Sequence, residues 1–353
     1  MKAILYNKGG RANACVTEAP DPTVGDKDVL IRVYASDICR PADAAHDGGY
    51  SAFGKYPLVP GHEYAGIVEK VGKDVVRFQV GDRVTADANL PCGTCYYCIR
   101  GEVQFCENNR AYGQSLNGGF AQLVAVDESL VYKVPDSVSL RAASMTELVG
   151  CVYNCMERCN FKYGSEVLIL GGGASGNLIA QMVKSSNAAT VVVVDCVASK
   201  LERLKPIGVK TILADKDDPE VHEAVLKEQY PHGFDYIIDT TANPKLISRS
   251  LYLLKRGGTF VNYGFQNNVK VAEQVQIDMK LFVTRQLSYL GTTFQHFKFP
   301  QTLKAMEEKR VDPELAISEM CPLDDFFECM DKVLYDPETV KIVLEPNGSS
   351  EGM

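Results

Sequence analysis

Apolar residues along this chain follow two different rhythms. Up to about residue 140 they come in short β-branched runs broken by turns, as in 29–33, 66–71 and 82–84 after the Val80-Gly81 turn. That pattern predicts a β-rich domain. From Val167 onward, strand-like runs alternate with longer helical stretches, which predicts a parallel sheet with crossover helices. Strands are expected at 167–170, 190–194, 211–213, 236–238, 259–261 and 287–290, a helix at 299–309, and a last strand at 339–344. The last strand is expected to rejoin the β-rich part, which makes the α/β domain an insertion.

Length and composition narrow the class. A chain of 353 residues is too long for one ordinary core, and about 100–200 residues per domain suggests two. Its 46% apolar and 23% charged residues are those of a globular protein. No apolar run approaches the ~18–20 residues of a membrane span, and the opening Met1-Lys2-Ala3-Ile4-Leu5-Tyr6 turns polar too soon for a signal peptide. A net charge of −8 argues against a nucleic-acid surface, which needs clustered Lys and Arg. Twelve cysteines without secretion point to a reducing cytoplasm, with thiols as metal ligands or buried residues rather than disulfides. The tail 347–353 is expected to be flexible.

Four of those cysteines, Cys92, Cys95, Cys98 and Cys106, are spaced C-x2-C-x2-C-x7-C. Tetrahedral Zn²⁺ needs four thiolates converging from one loop, and short steps fold back around the metal. Pro91, Gly93 and Gly101 supply the turns. Four protein ligands leave no open position, so this lobe, 91–107, is read as a structural zinc site.

The run 167–170 leads directly into Gly171-Gly172-Gly173-Ala174-Ser175-Gly176, a G-x-G-x-x-G between a predicted strand and a predicted helix. Gly171 serves a tight turn, Gly173 lets the backbone approach a pyrophosphate, and Gly176 lets helix pack on strand. The next strand, Val191 to Val194, ends in Asp195, 19 positions after Gly176. An acid there accepts both adenosine ribose hydroxyls and repels a 2′-phosphate. NAD is therefore expected over NADP, with Lys200 nearby as the countervailing residue in the same cofactor-binding set.

Pro60-Gly61-His62-Glu63 joins an imidazole and a carboxylate after a turn. Taken alone, His62 reads as a satisfied surface or core residue rather than a metal ligand. Cys39, 23 residues upstream, and Glu147, shortly before the glycine-rich turn, shift the reading towards a metal site.

With Cys39 in Ser36-Asp37-Ile38-Cys39, the Gly61-His62-Glu63-Tyr64-Ala65-Gly66 motif, the four-cysteine lobe and the glycine fingerprint in this order, the chain resembles the zinc-dependent medium-chain alcohol dehydrogenase family, in particular its sorbitol, arabinitol and other polyol dehydrogenases. The resemblance implies an α/β fold class: a GroES-like β-rich catalytic domain at 1–146, a Rossmann doubly wound parallel-sheet domain at 147–290, and a return to the catalytic domain at 291–346. It implies a catalytic zinc held by Cys39, His62 and Glu63, with Glu147 nearby, often through water. Cys151 is a rival ligand, although Cys151, Cys155 and Cys159 recur every four residues, as a buried helical stripe does. The implied reaction is hydride transfer between a polyol secondary alcohol, such as a pentitol or hexitol, and NAD, giving the ketose. L-threonine or another secondary alcohol is the alternative substrate. A homodimer or homotetramer is implied as well.

Two departures stand out. Family members carry Ser or Thr two residues after the zinc cysteine as a proton relay; here Pro41 has no proton to pass. Water, a second substrate hydroxyl or His46 would take over, although His46 reads as an ordinary surface histidine. Asp43 sits one position away from the family's acidic residue and receives no role. Where sorbitol-type members have Phe-Arg-Tyr, this chain has Phe294-Gln295-His296, so Tyr50, Gln295 and His296 are the substrate-side candidates.

Overall fold

The computed structural model describes residues 1–265, 275–295 and 297–353. Its contacts divide the chain into two units, one of Met1–Gly150, Gln295–Lys309 and Ile317–Met353, the other of Cys151–Phe294 and Arg310–Ala316.

The first unit is built on a sheet that is seven-stranded among the described residues. Its order is Glu319–Pro322, Ile342–Glu345, Asp28–Asp37, Tyr64–Val71, Arg83–Ala86 and Val131–Lys133, with Leu123–Asp127 also pairing on Asp28–Asp37. The long central strand, rich in Val and Ile, buries Val29, Ile31 and Val33 against Tyr64, Val84, Val124 and Val131. A second cluster joins Ile4, Tyr6, Phe120, Phe326, Met330, Ile342 and Leu344. Each such side chain contributes about 1.5–3 kcal/mol on full burial. The helix Phe299–Glu307 buries Phe299, Thr302, Leu303 and Met306, an i, i+3, i+4, i+7 stripe.

The closing strand does rejoin this sheet, pairing Val343 with Asp37 and Leu344 with Ser36. It begins at Ile342 rather than at Thr339, because Thr339 is held in a turn by Asp336 through its N–H and its hydroxyl.

Two expectations need correction here. The structure holds a disulfide, Cys321–Cys329. The strand carrying Cys321 and the helix Phe326–Tyr335 carrying Cys329 pack together in the apolar core, and both sulfurs are sealed there. The tail 347–353 is anchored, not loose. Asn347 donates to the Val33 and Gln122 carbonyls, buried Ser350 bonds Glu345 and Arg141, and the Met353 carbonyl accepts the Leu140 N–H. The tail's polar groups thus find partners on the sheet and at the start of the helix Leu140–Ser144.

The second unit is a six-stranded parallel sheet among the described residues, ordered Lys210–Leu213, Thr190–Asp195, Glu166–Leu170, Phe234–Asp239, Leu254–Asn262 and Ser288–Gly291. In chain order that is 3-2-1-4-5-6, the doubly wound arrangement. The order reverses beside Glu166–Leu170, and this reversal opens a crevice at the strands' carboxyl ends. The near-continuous apolar runs Val167–Leu170 and Val191–Val194 follow from burial on both faces. No helix among the described residues is long and apolar enough to cross a membrane.

Candidate active site

The structure brings Cys39, His62 and Glu63 together: one ligand atom from each lies within 4.8 Å of the others. The local sequence explains the convergence. Cys39 caps the helix Arg40–Asp47 at the end of the Asp28–Asp37 strand, while His62 and Glu63 precede the neighbouring Tyr64–Val71 strand. Gly61 turns the chain between them with a φ of 91°, and any Cβ there would press on the backbone and ring of Phe120. Only glycine fits.

His62 and Glu63 are buried, and Glu63 Oε1 lies 3.7 Å from His62 Nε2. Glu63 Oε1 and His62 Nδ1 have no hydrogen-bond partner. Buried polar atoms left open in this way are rare without a reason. Burial, and then the Glu63 carboxylate, push the Cys39 thiol well above its usual range. A thiolate there needs an added cation. One thiolate, one imidazole and one carboxylate form a set that Zn²⁺ accepts, so the residues present fit a catalytic metal.

Two supporting groups escape sequence reasoning. Lys341 donates to Glu63 Oε2 at 2.5 Å from across the chain, and both side chains are buried. Burial opposes the lysine charge, but Glu63 and Asp37 outweigh it and raise the Lys341 pKa. Asp43, left without a role above, is buried with Oδ2 on the Cys39 N–H at 2.7 Å and Oδ1 unpartnered. Its carboxyl is raised to about 6 by burial, with His62 pulling it back. A lysine just ahead of an apolar run, in Val340-Lys341-Ile342-Val343, is the one signal in the sequence that could have pointed to Lys341.

The remaining candidates are placed as follows. Glu147 is buried in the first turn of the helix Thr146–Cys159 and is not one of the three clustered ligands. On that helix Cys155 and Cys159 lie in the core and Cys151 is half-buried. Tyr50 is 45% exposed. Gln295 is fully buried and faces the Asp87 carboxylate, an interaction that lowers the Asp87 pKa against the upward push of burial. His296 lies outside the described residues. His46, expected at the surface, is buried on the inner face of the helix Arg40–Asp47 together with Asp43. Its Nδ1 meets the Tyr56 hydroxyl at 2.9 Å, and burial lowers its pKa to about 4.

The four-cysteine lobe also converges, with the sulfurs of Cys92, Cys95, Cys98 and Cys106 within 4.8 Å of one another. Backbone N–H groups of Thr94 and Cys95 lower the Cys92 thiol to about 6, and burial raises Cys98 to about 12. Four sulfurs converging at this range from one short lobe suit a closed Zn²⁺ site.

In the second unit, Gly173 caps the helix Ala174–Lys184 with no side-chain bond to its N–H groups, and nothing lies within 4 Å of where its Cβ would be. That leaves helix N–H groups free for a phosphate. A Cβ on Gly176 would collide with the Gly171 carbonyl oxygen. Asp195 ends its strand with Oδ2 on the Gly172 N–H at 2.6 Å and Oδ1 on the Val197 N–H at 2.8 Å. Lys200 stands beside the same glycine turn, its Cβ 3.5 Å from the position a Gly172 Cβ would take. The turn fits a dinucleotide.

Comparison with known proteins gives matching results. Residues 25–136 match the model of the alcohol dehydrogenase GroES-like domain, and residues 174–308 match that of zinc-binding dehydrogenase. D-arabinitol dehydrogenase 1 of Uromyces fabae is 29% identical, covering 98% of this chain and 97% of its own. D-altritol 5-dehydrogenase of Agrobacterium fabrum is 31% identical, covering 97% and 98%. The solved structure of a zinc-binding dehydrogenase from Sinorhizobium meliloti 1021, bound to NADP, superposes with a TM-score of 0.88 at 27% identity, covering 98% and 99%.

Proposed function

The chain belongs to the zinc-dependent medium-chain alcohol dehydrogenase family, and on that premise we propose that it oxidises a secondary hydroxyl of a polyol, a pentitol or hexitol, to the ketose with NAD as hydride acceptor. The observation that carries the reading is the convergence of Cys39, His62 and Glu63. The arabinitol and altritol dehydrogenases to which the chain is similar support the polyol class. Asp195, tied to the glycine turn with its charge at the ribose end, supports NAD over NADP. Ten of the twelve cysteines are free thiols, which supports a cytoplasmic setting, and two complete donor sets support two zincs per chain.

When bound at Cys39, His62 and Glu63, Zn²⁺ acts as a Lewis acid that makes a hydroxyl group more acidic. The chain's own residues do the rest. Lys341 fixes one Glu63 oxygen and leaves the other open, while Asp43 steadies the Cys39 backbone. Burial of His62 and Glu63 keeps water out, which strengthens every charge in the site. In the second unit, the N-terminus of the helix Ala174–Lys184 takes the pyrophosphate and Asp195 the ribose. Glu147 is read as a supporting carboxylate. Pro41 carries no proton, so the proton from the substrate leaves through water or a second substrate hydroxyl.

The test is NAD reduction by the zinc-loaded protein across a panel of pentitols, hexitols and L-threonine. Turnover of polyols that stops on chelation and returns with Zn²⁺ supports the reading. Turnover of L-threonine alone moves the chain to the amino-alcohol branch, and NAD reduction untouched by complete zinc removal overturns the zinc mechanism.

A further inference from the structure

Beside the Cys39, His62 and Glu63 cluster lies a carboxylate to which the mechanism above gives no role. Asp37 is fully buried, and one of its oxygens is spare: Oδ1 accepts the Ser144 hydroxyl at 3.1 Å, while Oδ2 has no partner. The sheet places Asp37 between the two members of the buried ion pair. On one side its N–H donates to the Glu63 carbonyl at 2.9 Å. On the other it is in register with Val343, two residues after Lys341. Lys341 is thus a diagonal cross-strand neighbour, at a spacing that a long side chain bridges. Burial pushes the Asp37 carboxyl well above its usual range, Lys341 pulls it back, and Glu63 adds to the push.

One ammonium therefore faces two carboxyl groups, only one of which it bonds. Engagement of the open Glu63 oxygen by a metal draws charge away from the oxygen that holds Lys341. A buried ammonium that loses its anion is strongly unfavourable, so the lysine tends to pull Glu63 back. We propose that Asp37 is a second anchor for Lys341: its free Oδ2 takes up the ammonium as Glu63 engages the metal, so that Glu63 can serve the metal without leaving a bare charge in the interior. Asp37 is a positioning residue, acting through Lys341 and Glu63. This inference rests on the assignment of Cys39, His62 and Glu63 as ligands.

The experiment follows zinc loss to a chromogenic chelator from the full chain and from its D37N, E63Q and D37N/E63Q variants. The tighter four-cysteine zinc serves as internal control, and melting of the metal-free proteins checks the fold. With Asp37 intact, Glu63 stays with the metal. In D37N, Lys341 can pair only with Glu63 and draws it off, so zinc should leave the Cys39 site roughly tenfold faster, the factor one charge-assisted bond can carry. In the E63Q background there is no carboxylate to withdraw, and D37N should change nothing further. An unchanged rate in D37N, or the same acceleration in both backgrounds, overturns the proposal. If D37N does not fold, a crystal structure of the zinc-loaded wild type decides: Lys341 Nζ within hydrogen-bond distance of Asp37 Oδ2 supports it, and Lys341 on Glu63 alone overturns it. A wild-type Cys39 site that takes up no zinc refutes the ligand assignment itself, an outcome distinct from both.

Discussion

The Asp195 carboxylate accepts the Gly172 N–H at 2.6 Å, which ties the residue ending one strand to the glycine turn that follows another. The residue proposed to read the ribose therefore also holds the turn proposed to receive the pyrophosphate. Asp195→Ser should weaken NAD by roughly tenfold or more through the lost charge-assisted bonds, and should improve NADP relative to NAD. The ratio of kcat/KM for the two cofactors measures this. An unchanged ratio would show that Asp195 does not discriminate between them.

His62→Ala should remove zinc from the Cys39 site and leave the four-cysteine zinc, so metal content falls towards one per chain. NAD binding, followed by fluorescence titration, should persist, because the residues proposed to hold it lie within 171–200. Turnover should fall by more than the roughly 10–100-fold that loss of a merely supporting partner costs. Glu147→Ala should be milder, as Glu147 stands outside the clustered trio.

Cys92→Ser and Cys106→Ser each leave three thiolates, an incomplete shell for structural zinc. Both should lower the melting temperature and release one zinc, while activity per folded molecule persists. A variant that kept two zincs and full stability would contradict the structural assignment.

His46 gives a pH signature. Its folded pKa is lowered to about 4, chiefly by burial, from an ordinary 6.5. The folded state therefore binds its proton less readily than the unfolded chain does. The resulting stability is present above pH 6.5 and is lost as pH falls through 4. The loss amounts to at most about 3.5 kcal/mol at roughly 1.4 kcal/mol per unit. His46→Asn should flatten the fall in unfolding free energy over that window; an identical acid profile in the variant would rule His46 out as its source.

What could be read from the sequence was whatever depends on neighbours along the chain. The C-x2-C-x2-C-x7-C lobe is a local geometry whose spacing points to its chemistry, and the glycine turn is one that reads together with the strand before it and the acid after it. His62 and Glu63 stood out because they are adjacent, and Cys39 and Glu147 turned that pair into a metal candidate. Lys341 was not legible, since its partner Glu63 lies 278 residues away and no local pattern records that contact. Asp37 and His46 were misjudged or passed over for a related reason: polar side chains enter the interior only where tertiary partners satisfy them. The Cys321–Cys329 bond is local in spacing, but it needs a strand and a helix to pack face to face. The tail was expected to fray on composition alone, and it is held by hydrogen bonds to residues as distant as Val33.

The same long separation has a consequence for synthesis on the ribosome. Glu63 leaves the exit tunnel 278 residues before Lys341, an interval of roughly 15–55 s at about 5–20 residues per second. The whole of the Cys151–Phe294 segment is made in between, so the α/β unit can fold while the first unit still lacks its closing strand. The Cys39, His62 and Glu63 cluster must wait, with its carboxylate unpaired, for the Ile342–Glu345 strand and the lysine just ahead of it.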